Sequence, residues 1–106
     1  MHLVVTRSYP PEIGGMQNLM WGLTNSLSKH DLIKVFADDH EDASQFDEGV
    51  SFTIERIGGP KIIKKYRKSL LVNNYLETNN KVKTVIADHW KSLEKIKTNV
   101  KKICLI

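Results

Sequence analysis

The sequence predicts an α/β domain: a mainly parallel sheet of about five strands, with helices on both sides. Three observations predict it. Short β-branched runs alternate with segments whose apolar residues recur every three or four positions. The connections between them are short, as strand-helix-strand crossovers require. The 106 residues, 41% hydrophobic and 26% charged, are the length and mix of one domain with its own core.

Each element has its own signal. His2-Leu3-Val4-Val5-Thr6 is a β-branched run of the kind buried on both faces of a sheet. Ser8 to Gly15 is a loop punctuated by two prolines and two glycines. Met16, Leu19, Met20, Leu23 and Leu27 then mark one face of a helix that ends near Lys29-His30-Asp31. Leu32 to Ala37 reads as a second strand, and Asp38 to Asp42 as an acidic loop. Val50 to Ile57 alternates apolar and polar, as a third, more exposed strand would. Gly58-Gly59-Pro60 ends it, and a second helix follows from about Lys61 to Glu77, with Ile62, Ile63, Tyr66, Leu70 and Leu71 expected inward. Val82 to Ala87 is a fourth strand, Lys91 to about Thr98 a third helix, and Lys102 to Ile106 an apolar closing strand. That last run is strongly apolar with no loop after it, so the chain is expected to be the amino-terminal part of something larger, its sheet incomplete at the carboxyl end.

Composition excludes several function classes. A single cysteine, Cys104, makes no internal disulfide and fits a reducing, cytoplasmic setting. No apolar run reaches the roughly 20 residues of a membrane-spanning helix, and residues 1–7 lack a signal-peptide pattern. The scattered histidines form no zinc spacing, so no metal is expected. Aromatic residues are 8% and no nucleic-acid motif is present, so nucleic acid is not an expected partner. Charge is unevenly distributed: residues 1–57 carry a net −5 and residues 58–106 a net +9. A bipolar surface follows, with one face suited to phosphates or anionic lipid.

In parallel sheets ligands bind at the carboxyl ends of strands, where strand order reverses. That rule singles out the Ser8–Gly15 loop and Asp88-His89-Trp90. At the first, Gly14-Gly15 hands a strand to a helix; missing β-carbons allow close approach, and unpaired amides favour an anion. Neither a G-x-G-x-x-G fingerprint nor a P-loop is present.

The strand followed by Tyr9-Pro10-Pro11-Glu12-Ile13-Gly14-Gly15-Met16-Gln17 and a helix with Leu23 and Leu27 resembles the start of family 4 (group 1) glycosyltransferases of GT-B fold. The family's Pro-Pro-x-x-Gly-Gly loop, its helix ending near a histidine (here Lys29-His30) and its strand ending in an Asp/His/Trp cluster (here Asp88-His89-Trp90) all have counterparts. The cluster's usual order, His-x-His-Asp-Trp, differs. The resemblance implies the Rossmann-like acceptor-side domain of a retaining glycosyltransferase. Gly14, Gly15 and Met16 would lie against the diphosphate of a nucleotide-sugar donor. His89 would sit on the acceptor side, Asp88 would orient it or contact acceptor hydroxyls, and Trp90 would pack beneath the loop. It implies no metal cofactor, a polysaccharide, lipid-linked or small-molecule acceptor, and a carboxyl-terminal donor domain in cis or trans. The chain alone is then expected to be inactive.

Two other readings stand beside it. Lys61, Lys64, Lys65, Arg67 and Lys68 surround the apolar residues of the second helix, a basic amphipathic pattern suited to an anionic membrane surface. The chain also reads as a free-standing phosphate-ligand-binding module, or as the acceptor subunit of a split glycosyltransferase.

Overall fold

A computed structural model describes all residues, 1–106. Five strands form one sheet: β1 (His2–Thr6), β2 (Ile33–Asp38), β3 (Thr53–Ile57), β4 (Thr84–Ala87) and β5 (Lys101–Cys104), in the spatial order β3-β2-β1-β4-β5. Every pairing is parallel, with Val4 opposite Val35 on one side and Ile86 on the other. The helices are α1 (Gly15–Leu27), α2 (Ala43–Glu48) and α3 (Lys61–Thr78), with a single 3-10 turn at Trp90–Leu93.

Period-two alternation divides the core into two layers. Leu3, Val5, Phe36 and Val85 point to one face, where Val72 of α3 and Ile96 cover them. Val4, Val35, Ala37 and Ile86 point to the other, beneath Met20 of α1, with Trp21, Leu23 and Phe46 partly buried around them. The result is a Rossmann-like three-layer α/β fold, as its sequence pattern predicts. The central strands are the β-branched runs because only they are covered on both faces.

Five expectations are corrected. The segment after Asp38 is not all loop: α2 forms there because Ala43 and Phe46 share one face and pack inward, and Asp47 pairs with Arg56 at 2.8 Å. The third helix is only the 3-10 turn. Asn73 of α3 donates to the Lys95 carbonyl at 2.9 Å and accepts the Lys97 N–H at 2.9 Å, taking both groups out of helical pairing. The closing strand is an exposed edge rather than a buried one; Cys104 and Ile106 are both exposed. On α1, Leu19 faces solvent.

The largest correction concerns α3. Ile62, Ile63, Tyr66, Leu70 and Leu71 are all exposed, Ile62 by 73%, and the buried residues are Lys68, Ser69 and Val72. Eighteen residues of helix extend about 27 Å, whereas strands of four to six residues cover at most about 20 Å. The helix runs antiparallel to the strands and overhangs their carboxyl ends. Its phase is set where it does lie on the sheet, by Val72 with Tyr75 and Leu76. Followed back toward its start, that same face carries Ser69, Lys68 and Lys65.

Candidate functional site

The strand order reverses between β1 and β4, which neighbour each other while their connections leave on opposite faces of the sheet. Both loops singled out by the sequence leave from this point. Arg7 follows β1 and Asp88 follows β4, and the Arg7 N–H donates to Asp88 Oδ2 at 3.1 Å. The other carboxylate oxygen accepts from Ser92 Oγ at 2.8 Å. Asp88 is only 2% exposed, so an unpaired carboxylate there would be costly. Both its oxygens hold protein groups, and it forms no hydrogen bond to His89: its role is to join the roots of two loops, not to orient the histidine.

His89 is half-buried and caps the 3-10 turn, its Nδ1 accepting the Lys91 N–H at 3.2 Å. That bond places the proton of the neutral ring on Nε2, a donor no protein group uses. Trp90 does not pack beneath the loop. It is 54% exposed and lies beside the His89 ring, with centroids 5.6 Å apart.

The glycine loop is braced from three sides. Tyr9 is buried, its hydroxyl 2.6 Å from Thr24 Oγ1 of α1, its ring edge-on to Trp21 and Phe46. Burial pushes its phenol up to about 12. Arg56 of β3 donates to the Pro10 carbonyl at 2.7 Å and the Asp38 carbonyl at 3.1 Å, and pairs with both carboxylate oxygens of Asp47. Residues 10 and 11 are joined by a cis peptide bond. Beyond this scaffold α1 begins at Gly15 with no side-chain cap. The Asn18 N–H reaches the Gly14 carbonyl at 3.0 Å, leaving the amides of Gly15, Met16 and Gln17 ahead of the helical ladder. Space around Gly15 is open, with nothing within 4 Å of where a β-carbon would stand; at Gly14 the Gln17 side chain fills that position. The Met16 side chain packs inward against the core, so only its amide remains for a ligand.

The residue missed by sequence reasoning is Lys68. Expected among the cations facing an anionic membrane, it is instead buried, its ammonium donating to the Thr6 carbonyl at 3.0 Å and to Asp38 Oδ1. Burial pushes its pKa below the ordinary lysine value, and the Asp38 carboxylate opposes that shift. Asp38 is shared with Lys64, at 3.0 Å. Lys68 thus ties the ends of β1 and β2 together and leaves the basic outer surface to Lys61, Lys64, Lys65 and Arg67. One signal pointed to it: Lys68 lies four residues before Val72, on the same helical stripe.

No group of three metal-ligating side chains is assembled, and no helix is long and apolar enough to cross a membrane. No protein-family model and no curated protein matches the chain.

Proposed function

We propose that this chain is the acceptor-side amino-terminal domain of a retaining glycosyltransferase of GT-B fold. The parent would transfer a sugar from a nucleotide-diphosphate donor to a hydroxyl acceptor in the cytoplasm. One observation carries the reading. The uncapped Gly14-Gly15 helix start and the Asp88-His89 turn leave adjacent central strands at the reversal point, their roots joined by Arg7 and Asp88. On this reading the amides of Gly15 and Met16 meet the donor diphosphate, where they stabilise the leaving group's charge. His89 offers its Nε2–H to acceptor or transferred sugar. A carboxyl-terminal domain, in cis or trans, supplies the nucleotide site, so the chain alone is inactive.

The decisive experiment reads the coding DNA past codon 106. A frame continuing into a second Rossmann-like domain with a paired-glutamate motif supports the proposal. A stop codon there gives the lead to the free-standing phosphate-binding module or the split subunit. In a continuing product, Gly15→Leu is expected to cut turnover about tenfold or more by blocking close approach to the amides. Unchanged turnover removes the loop from the mechanism. The open space at Gly15 makes loss of folding a poor explanation for any defect.

A second reading of the same chain, docking on an anionic membrane, draws on the outward apolar residues of α3. Ile62, Ile63, Tyr66 and Leu70 are exposed beside Lys61, Lys64, Lys65 and Arg67, a pattern that suits the interface of acidic lipid. Salt-sensitive binding to phosphatidylglycerol vesicles is the expected result.

A further inference from the structure

Between α3 and the Trp90–Leu93 turn, at the carboxyl edge of the sheet, lies a cavity of about 550 Å³. Seven of its twelve lining residues are Lys or Arg, and a single carboxylate, Asp38, lines it. These cations come from three separate segments: Arg7 from the end of β1, Lys61 to Lys68 from α3, and Lys91 and Lys95 from beyond β4. A solvated helix face spreads its lysines outward; here distant parts of the chain converge on one concavity. Asp38 is already occupied by Lys64 and Lys68, and Lys65 pairs with Glu94 at 3.2 Å. Lys61, Lys91 and Lys95 have no carboxylate partner, and Arg7 Nε comes only within 4.0 Å of Asp88. The cavity therefore carries surplus positive charge over a floor fixed by buried Lys68. Repulsion among these cations is relieved when an anion joins them.

We propose that this cavity binds the phosphate group of a phosphorylated ligand, held by Arg7, Lys61, Lys91 and Lys95 above the Lys68–Asp38 floor. Several converging cations match a compact dianion with three terminal oxygens better than a single carboxylate, which one of them would satisfy. The volume leaves room for more than the phosphate, within the range of small-molecule sites. That the rest of the ligand is the sugar acceptor rests on the glycosyltransferase reading; the phosphate site does not. Exposed Ile62 and Tyr66 also line the cavity, so the phosphate comes either from a soluble ester or from a lipid headgroup.

The test titrates the ¹⁵N-labelled chain with glycerol 3-phosphate and, separately, measures its binding to phosphatidylcholine vesicles doped with phosphatidic acid. The combined variant Lys61→Ala/Lys91→Ala/Lys95→Ala removes three exposed cations from the cavity. Lys97→Ala/Lys101→Ala/Lys102→Ala removes three exposed ones elsewhere. The first is expected to weaken binding by about tenfold or more, the second by less than about threefold. Binding of the soluble ester that also competes the chain off vesicles assigns the site to a soluble phosphate. Vesicle binding without response to the ester assigns it to a headgroup. Equal losses in the two variants, or no binding in either arm, overturn the proposal. Amide shifts at residues 61–69 and 90–96 report this site, whereas a nucleotide sugar would perturb Gly15 to Gln17, so the two readings fail separately.

Discussion

Helices α1 and α3 perform the same topological task, each carrying the chain from one parallel strand to another, on opposite faces of the sheet. Their side chains are disposed in opposite ways. In α1, Met20 and Thr24 are buried, with Met16, Leu23 and Leu27 packed around the same layer. In α3, a lysine and a serine are buried with Val72 while five large apolar residues, Ile62, Ile63, Tyr66, Leu70 and Leu71, face water. The difference lies in what is beneath each helix. The middle of α1 covers the sheet, so apolar burial decides its phase. The first half of α3 extends beyond the strand ends, where exposed backbone carbonyls and Asp38 offer a cation more than they offer a hydrocarbon.

That comparison can be broken most forcefully at the two buried anchors. Met20→Ala on α1 should cost about 3 kcal/mol in urea unfolding, the usual loss for a truncated core methionine. Lys68→Ala on α3 should cost nearly as much, about 2–3 kcal/mol, because the Thr6 carbonyl and Asp38 lose a shared donor. A loss under about 0.5 kcal/mol would mean that Lys68 is not an anchor.

Next in size is Tyr9→Phe, which removes the hydroxyl bond to Thr24 and should cost about 1 kcal/mol near neutral pH. Its pH dependence sharpens the point. The folded phenol titrates at about 12, above its ordinary value of 10.0. The neutral form is therefore favoured by folding, and this contribution is complete below pH 10 and lost as the pH rises toward 12. Alkaline unfolding should begin at higher pH in the phenylalanine variant.

A smaller effect is expected on the outward face of α3. Ile62→Ser with Leu70→Ser should change stability by less than about 0.5 kcal/mol per site, since neither side chain is in the core. A loss near that of Met20→Ala would show the helix rotated from the phase described.

The smallest effect lies at the amino-end edge of the sheet, where exposed charges meet. Asp31 accepts the Leu32 N–H and pairs with Lys83 and the amino terminus, both at 3.1 Å. These contacts, the backbone hydrogen bond foremost, hold its carboxyl well below the ordinary value of 3.8. Its contribution is present above that value and lost as the pH falls below it. Asp31→Asn should lower the melting temperature slightly at pH 7 and make no difference in strong acid.

The two helices also mark what a sequence can disclose. β1, β2 and β4 were legible because burial on both faces leaves short, mostly apolar runs, broken in β2 only by Lys34, and α1 because its stripe answers to a single layer beneath it. The facing of α3 was not, because two stripes compete on it. Ile62, Tyr66 and Leu70 form the more apolar one, and only the length of the strands decides for Ser69, Val72 and Leu76. Helix α2 was hidden because Ala43 and Phe46 are too few to make a period, and the ion pair that steadies it comes from β3. The shortness of the turn at Trp90 depends on Asn73, which no local pattern links to Lys95 and Lys97. At the candidate site, the glycine loop was visible in its residue types. Lys68 was not, because its burial comes from an overhang that exists only once the sheet is assembled.

Arg56 sits on an edge strand, ordinarily the first part of a sheet to open. Yet its guanidinium holds Pro10 in the glycine loop, Asp38 at the end of β2 and Asp47 in α2. Fraying of β3 would release all three together, so the loop, α2 and the edge strand form one cooperative unit. The hydrogen-bonded amides of β3 and those of Phe46 and Gly49 at α2 should exchange with a common opening free energy. The shape offered to a ligand at Gly14 and Gly15 is then governed by a strand that never touches it.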